Sequence, residues 1–115
     1  MKHIIMKGTY LGEFEEIVLL TVAILYDDSY GLAIKDEVEK RSRRKVMLST
    51  IHKTLKRLEA KGFLNTKMGE STPVRGGRRK KLYSLTIYGK SVLSNAHELR
   101  TSMWSAVPSV VWESK

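Results

Sequence analysis

The chain has 115 residues and a mass of 13.1 kDa, enough for one domain with a modest core but too little for a catalytic domain beside a separate sensor. Hydrophobic residues make up 42% and charged residues 29%, a globular composition, and the lack of cysteine excludes disulfides, thiolate catalysis and cysteine zinc sites. The formal charge of +9 points to a polyanionic partner and is segregated, because residues 35–90 carry 17 Lys/Arg against 5 Asp/Glu while the rest of the chain is net acidic.

Residues 1–7 have lysines but no apolar run with a cleavage site, and read as a short flexible arm rather than a signal peptide. Residues 11–26 form a predicted helix with Leu11, Phe14, Ile17/Val18, Thr21/Val22 and Leu25 on one face, yet Leu19, Leu20 and Ile24 make the opposite face apolar too. Such a helix needs cover on nearly every side, and a chain this short has too few layers to supply it. Part of the helix, with Leu11, Phe14 and Val18 as candidates, is therefore expected to face another subunit. Its most apolar run, residues 17–26, falls well short of the ~20 residues needed to span a bilayer, so it reads as a buried helix of a cytoplasmic protein. Glu13, Glu15 and Glu16 suit the positive end of the helix dipole and need no catalytic role.

Asp27, Asp28 and Ser29 supply capping chemistry for a second helix over residues 30–42, with Ile34 and Val38 inward. A third helix is expected over residues 49–61, ended by Gly62, with Ile51, Leu55 and Leu58 as its apolar stripe. Thr50, His52, Lys53, Thr54, Lys56 and Arg57 fill the remaining face, a basic and hydrogen-bonding surface. Residues 63–69 and 80–85 are short β segments around a loop over residues 70–79. Loop and returning strand hold Arg75, Arg78, Arg79, Lys80 and Lys81, with Gly76 and Gly77 allowing close backbone approach to a partner. Thr86 is the expected N-cap of a last helix over residues 87–107, stopped by Pro108. Val92, Ala96, Leu99, Met103 and Ala106 are spaced 4, 3, 4, 3 along it, the period of a helix lying along another helix. Residues 109–115 read as a loosely ordered tail.

Three helices and a basic-tipped hairpin, in that order, make a mainly α winged helix-turn-helix with a C-terminal dimerisation helix. In that fold the third helix enters a major groove while the wing reaches the neighbouring phosphates, which Lys and Arg neutralise. The expected division is a DNA-binding region over 1–86, a dimerisation helix over 87–107 and a tail over 108–115.

Three stretches resemble the PadR family in the right order. They are LGEFEEIVLL at residues 11–20 leading into Tyr30-Gly31, TIHKTLKRLEAKG at residues 50–62, and GRRKKLYSLTIYG at residues 77–89. The resemblance implies a bacterial transcriptional regulator, usually a repressor, dimerised through its first and last helices on a palindromic operator in double-stranded DNA. Because some members of the family sense aromatic compounds, it also implies an effector site for a flat hydrophobic ligand near Met103 and Trp104. Two departures stand out. His52 occupies a position where the family commonly has tyrosine, and Met47 replaces the usual small polar residue at the entry to the recognition helix.

An enzyme is disfavoured, since His3, His52 and His97 lie far apart without metal-ligand spacing and no phosphate-binding glycine loop is present; no metal or cofactor is expected. The rival class is a non-catalytic architectural DNA-binding or RNA-binding protein. The RNA reading calls for aromatics displayed on a sheet, and here the aromatics are few and Tyr83 reads as core.

Overall fold

The computed structural model describes residues 10–71 and 79–113. The elements in chain order are helix α1 (Glu13–Leu25), a 3-10 turn (Tyr26–Asp28), α2 (Gly31–Ser42), α3 (Leu48–Ala60), strands β1 (Leu64–Ser71) and β2 (Arg79–Leu85), α4 (Ile87–Ala106) and a short α5 (Ser109–Glu113). This is the mainly helical fold with one antiparallel hairpin that the winged helix-turn-helix reading requires. The expected arm over residues 1–7 lies outside the described residues.

The core is built where the apolar periods of α1, α2 and α3 converge. Val18, Leu19, Val22, Ile34, Val38, Ile51, Leu55, Leu58, Phe63, Leu64 and Tyr83 form a single buried cluster. Helix α1 lies at the centre, packed on α2, α3, β2 and α4. Two expectations about α1 change as a result. Val18, expected to face a partner, is 0% exposed in the core of its own subunit, and Leu19, expected on the far face, is equally buried. Leu11 and Phe14 are half-buried against the same cluster. The face of α1 left in solvent is instead that of Leu20 and Ile24.

Helix α1 begins at Glu13 because the Glu15 carboxylate accepts the Gly12 N–H at 2.9 Å, half of a capping box. It ends one residue before the expected Tyr26, whose backbone turns to φ 54° and starts the 3-10 turn. Ser29 is not the cap of α2. Its side chain is fully buried, Tyr30 holds the N-cap position without a side-chain hydrogen bond, and the Ser29 carbonyl accepts from the Tyr83 N–H at 2.8 Å. With the Tyr30–Leu82 bridge, this adds a short third rung to the hairpin and fastens the start of α2 to the wing.

Strands β1 and β2 pair from Leu64↔Leu85 to Met68↔Lys81, then shift register before Ser71↔Arg79. Thr86 caps α4 as expected, its Oγ1 accepting from Gly89 N at 2.8 Å and donating to Gly62 O at 2.7 Å. A Cβ on Gly89 would stand 2.2 Å from the Phe63 carbonyl oxygen, so only glycine lets α4 pass this close to the backbone that joins α3 to β1. Val92 and Leu93 pack on the core, and Arg100 Nη1 lies 2.9 Å from Glu16 of α1. Every residue of α4 from His97 to Ala106 is exposed. The expected loose tail is corrected: the chain turns at Val107 and Pro108 into α5, and Trp112 stacks on Trp104 with ring centroids 5.1 Å apart at 22°.

Candidate nucleic-acid interface

Helix α3 is bound to the body along Ile51, Thr54, Leu55 and Leu58. At about 100° per residue, the direction opposite that stripe belongs to Ser49, Lys53, Lys56 and Ala60, all exposed. Thr50 and Arg57 flank this face on one side, Leu48 and His52 on the other. The residue types had assigned Thr54 to the outward surface, and the structure corrects this: Thr54 is 2% exposed and its Oγ1 donates back to the Thr50 carbonyl at 2.9 Å. Its methyl group joins the core while its hydroxyl is satisfied within the helix, leaving nothing to present to a ligand.

The cations of α3 differ in freedom. Lys53 and Lys56 have no ion-pair partner among the described residues. Arg57 leans toward Glu15, with Nη1 3.6 Å from its carboxylate. Glu15 is 7% exposed and also holds Lys61, whose Nζ lies 3.0 Å from each carboxylate oxygen. Burial pushes the Glu15 carboxyl upward, but the Gly12 N–H, Lys61 and Arg57 together bring it below the ordinary carboxylate value. Of the three glutamates that looked alike as dipole partners, this one joins the start of α1 to the end of α3.

On the wing, Arg79 and Lys81 are exposed and Lys80 is half-buried. Arg79 Nε donates to Gly69 O at 2.9 Å across the hairpin. Lys80 Nζ lies 4.0 Å from the centre of the Tyr30 ring, a cation–π contact, and Lys81 reaches 4.0 Å from Glu59 of α3. Arg75 and Arg78 lie outside the described residues. The next residue after Tyr30, Gly31, supports the His52 ring, so Lys80, Tyr30, Gly31 and His52 form a continuous strip from wing to α3.

Four exposed residues beside this surface were not singled out as contacts in the sequence. Ser49 stands at the centre of the outward face. Leu48 opens the helix, one position before the expected start. Arg43 and Lys45 extend the cationic surface through the α2–α3 turn, where Arg43 adopts a left-handed backbone at φ 59°. Arg44 between them is committed to an ion pair with Glu13. The signal that finds Ser49 is its angle on the helix rather than its residue type.

Of the expected seam on α4, Val92 and Ala96 are half-buried within the subunit while Leu99, Met103 and Ala106 are exposed. Trp104 lies 65% exposed beside Met103, with Trp112 on one of its faces. Among the described residues no group of three His, Asp or Glu side chains is placed to hold a metal ion, and no helix is long and apolar enough to cross a membrane.

Residues 19–95, from the middle of α1 to the first half of α4, match the Transcriptional regulator PadR-like family. Among solved structures, a PadR-like transcription factor from Bacteroides fragilis is similar at 26% identity and a TM-score of 0.65, over 80% of this chain and 84% of that one. The smu.1704 protein of Streptococcus mutans UA159 is similar at 29% identity and a TM-score of 0.63, over 84% and 87% of the two chains. A PadR family transcriptional regulator from Eggerthella lenta DSM 2243 shares the fold at 21% identity and a TM-score of 0.65, over 90% and 88%. No curated protein matches the chain in sequence.

Proposed function

This chain belongs to the PadR-like family of transcriptional regulators, and from that premise we propose that it is a sequence-specific repressor binding a palindromic operator in double-stranded DNA as a homodimer. DNA-binding regulation, as opposed to catalysis, follows from the family. The observation that carries the finer reading is the outward face of α3, where Lys53 and Lys56 lack anionic partners among the described residues and stand beside Thr50 and His52. Unpaired lysines gain by neutralising phosphates, and the hydroxyl and imidazole neighbours suit base edges or phosphates. Arg57, Arg79, Lys80 and Lys81 extend the same surface, and Arg75 and Arg78 belong to the same proposed set.

The homodimer is supported by apolar surface that one subunit leaves in water. Leu20 and Ile24 on α1, and Leu99, Met103 and Ala106 on α4, are each exposed in the single subunit, apolar surface that a second copy could cover. We assign residues 1–86 to DNA binding, 87–107 to dimerisation through α4, and 108–115 to a tail that contains α5. A planar hydrophobic effector near Met103 and Trp104 has the Trp104 ring in its favour. Trp112 already occupies one face of that ring, so an effector would take the other face or displace Trp112.

Selection of bound sequences from random duplex DNA tests the reading. A palindrome with half-sites about one helical turn apart, or a multiple of it, is the expected outcome. Enrichment of no sequence would leave an architectural DNA-binding protein, and tighter binding to RNA than to any duplex would leave an RNA-binding one.

A further inference from the structure

At the entry to α3 two large apolar side chains stand in solvent: Met47, 69% exposed at the N-cap, and Leu48, 38% exposed at the first helical position. Met47 makes no side-chain cap, its carbonyl instead accepting the Thr50 and Ile51 N–H groups at 3.0 and 3.1 Å. Neither side chain belongs to the core cluster or to the half-buried residues packed against it. N-cap and first-turn positions favour short polar residues that satisfy free backbone N–H groups, so methionine and leucine here forgo a local gain. They are ringed by polar and cationic neighbours, with Lys45 before them, Ser49 and Thr50 after them, and His52 one turn beyond Leu48 on the same side of the helix. An apolar partner surface set inside an anionic one fits this pattern.

We propose that Met47 and Leu48 read thymine, seating against its C5-methyl group in the major groove. This rests on the DNA-binding reading of α3 given above and extends it to the type of base. The N-terminal residues of a recognition helix are the ones that approach base edges, and among the four bases only thymine presents a methyl group there. Burying one methyl is worth about a fourfold change in affinity. Lys45 and Lys53 on either side neutralise the phosphates of the same half-site, which keeps an apolar contact in a charged interface from being a cost.

The test uses the full chain and the site selected from random duplex DNA, with each thymine replaced in turn by deoxyuridine, which lacks only the methyl group. Affinity is expected to fall about fourfold at one or two positions per half-site and to be unchanged elsewhere. Met47→Ser and Leu48→Ser, both at exposed positions and checked for folding by circular dichroism, should remove that sensitivity while keeping the salt dependence of binding. Met47→Leu should retain it. A selected site indifferent to every deoxyuridine replacement overturns the proposal while leaving DNA binding intact, as does methyl sensitivity that survives both serine substitutions. Absence of any preferred sequence overturns the DNA reading itself, and the thymine assignment with it.

Discussion

The imidazole of His52 lies so close over Gly31 that a Cβ at Gly31 would come within 2.7 Å of the ring's Cε1. The first residue of α2 thus sets where the side chain of α3 projects. Gly31→Ala should displace the ring instead of unfolding the chain, because the obstructing atom is the tip of a movable, exposed side chain. Stability should shift by less than ~1 kcal/mol, within the range of a glycine-to-alanine change in a helix, while preference among duplexes should change, and His52→Ala should change it too. Gly89→Ala should behave oppositely, since its Cβ would meet the Phe63 backbone oxygen at 2.2 Å. Overpacking against backbone that cannot yield costs about 1–3 kcal/mol or more. Chemical denaturation and binding to a panel of duplexes, measured on both variants, would check this contrast.

Glu15→Gln should reveal the ion-pair cluster that joins α1 to α3. The Glu15 carboxyl is held below the ordinary carboxylate value in the folded chain, so its contribution is fully present above the unfolded value and is lost as pH falls through the lowered folded one. The variant is expected to be less stable at pH 7, by about 1–3 kcal/mol, because the Lys61 hydrogen bonds lose their charged acceptor. That gap should close on acidification below the ordinary carboxylate range. Glu13 and Glu39, lowered chiefly by the Arg44 side chain and the Val46 N–H respectively, soften both proteins in the same range and do not contribute to the difference. Denaturant titrations between pH 7 and pH 3 would show it; a gap independent of pH would remove the carboxylate's charge from the explanation.

The element order was legible in the sequence because local chemistry marks it. Thr86 caps α4, Gly62 at φ 85° follows α3, and Pro108 closes α4. The basic, outward side of α3 was legible from Ile51, Leu55 and Leu58. Residue type alone puts Thr54 outside, but its angle places it beside Leu55 and Leu58 on the helix, and a threonine that bonds its own backbone behaves as a core residue. The burial of Val18 within its own subunit is not legible, because α1 is apolar on nearly every side and its period cannot say which face meets the core and which is left for a partner; Ile17 and Val18 both pack inward, and Leu20 and Ile24 stay exposed. Glu15 could not be distinguished from its neighbours, since its partner Lys61 lies 46 residues away. Nor could the Trp104–Trp112 stack be read, since it depends on how the chain reverses at Val107 and Pro108.

Leu99→Glu with Met103→Glu should separate a dimer seam from an internal one. Both residues are exposed in the single subunit, so a monomer would tolerate two glutamates with little change in melting. If α4 packs on a second copy, the charges should give ~13 kDa monomers or unfolding in light scattering, with loss of tight binding to the selected site. A wild-type chain that already runs as a stable monomer at micromolar concentration would contradict the dimer.

The most direct test of α3 and the wing as the DNA-reading surface is a salt series of binding titrations on the selected site and on a scrambled duplex. Wild type is compared with Lys53→Ala/Lys56→Ala and with Arg78→Ala/Arg79→Ala. The wild-type chain should prefer the selected site by about a thousandfold or more. Each double variant should lose about two units of log–log salt slope, one per phosphate contact removed, and the wing variant should weaken both duplexes alike. Equal wild-type affinity for the two duplexes, or double variants with unchanged affinity and slope, would contradict it.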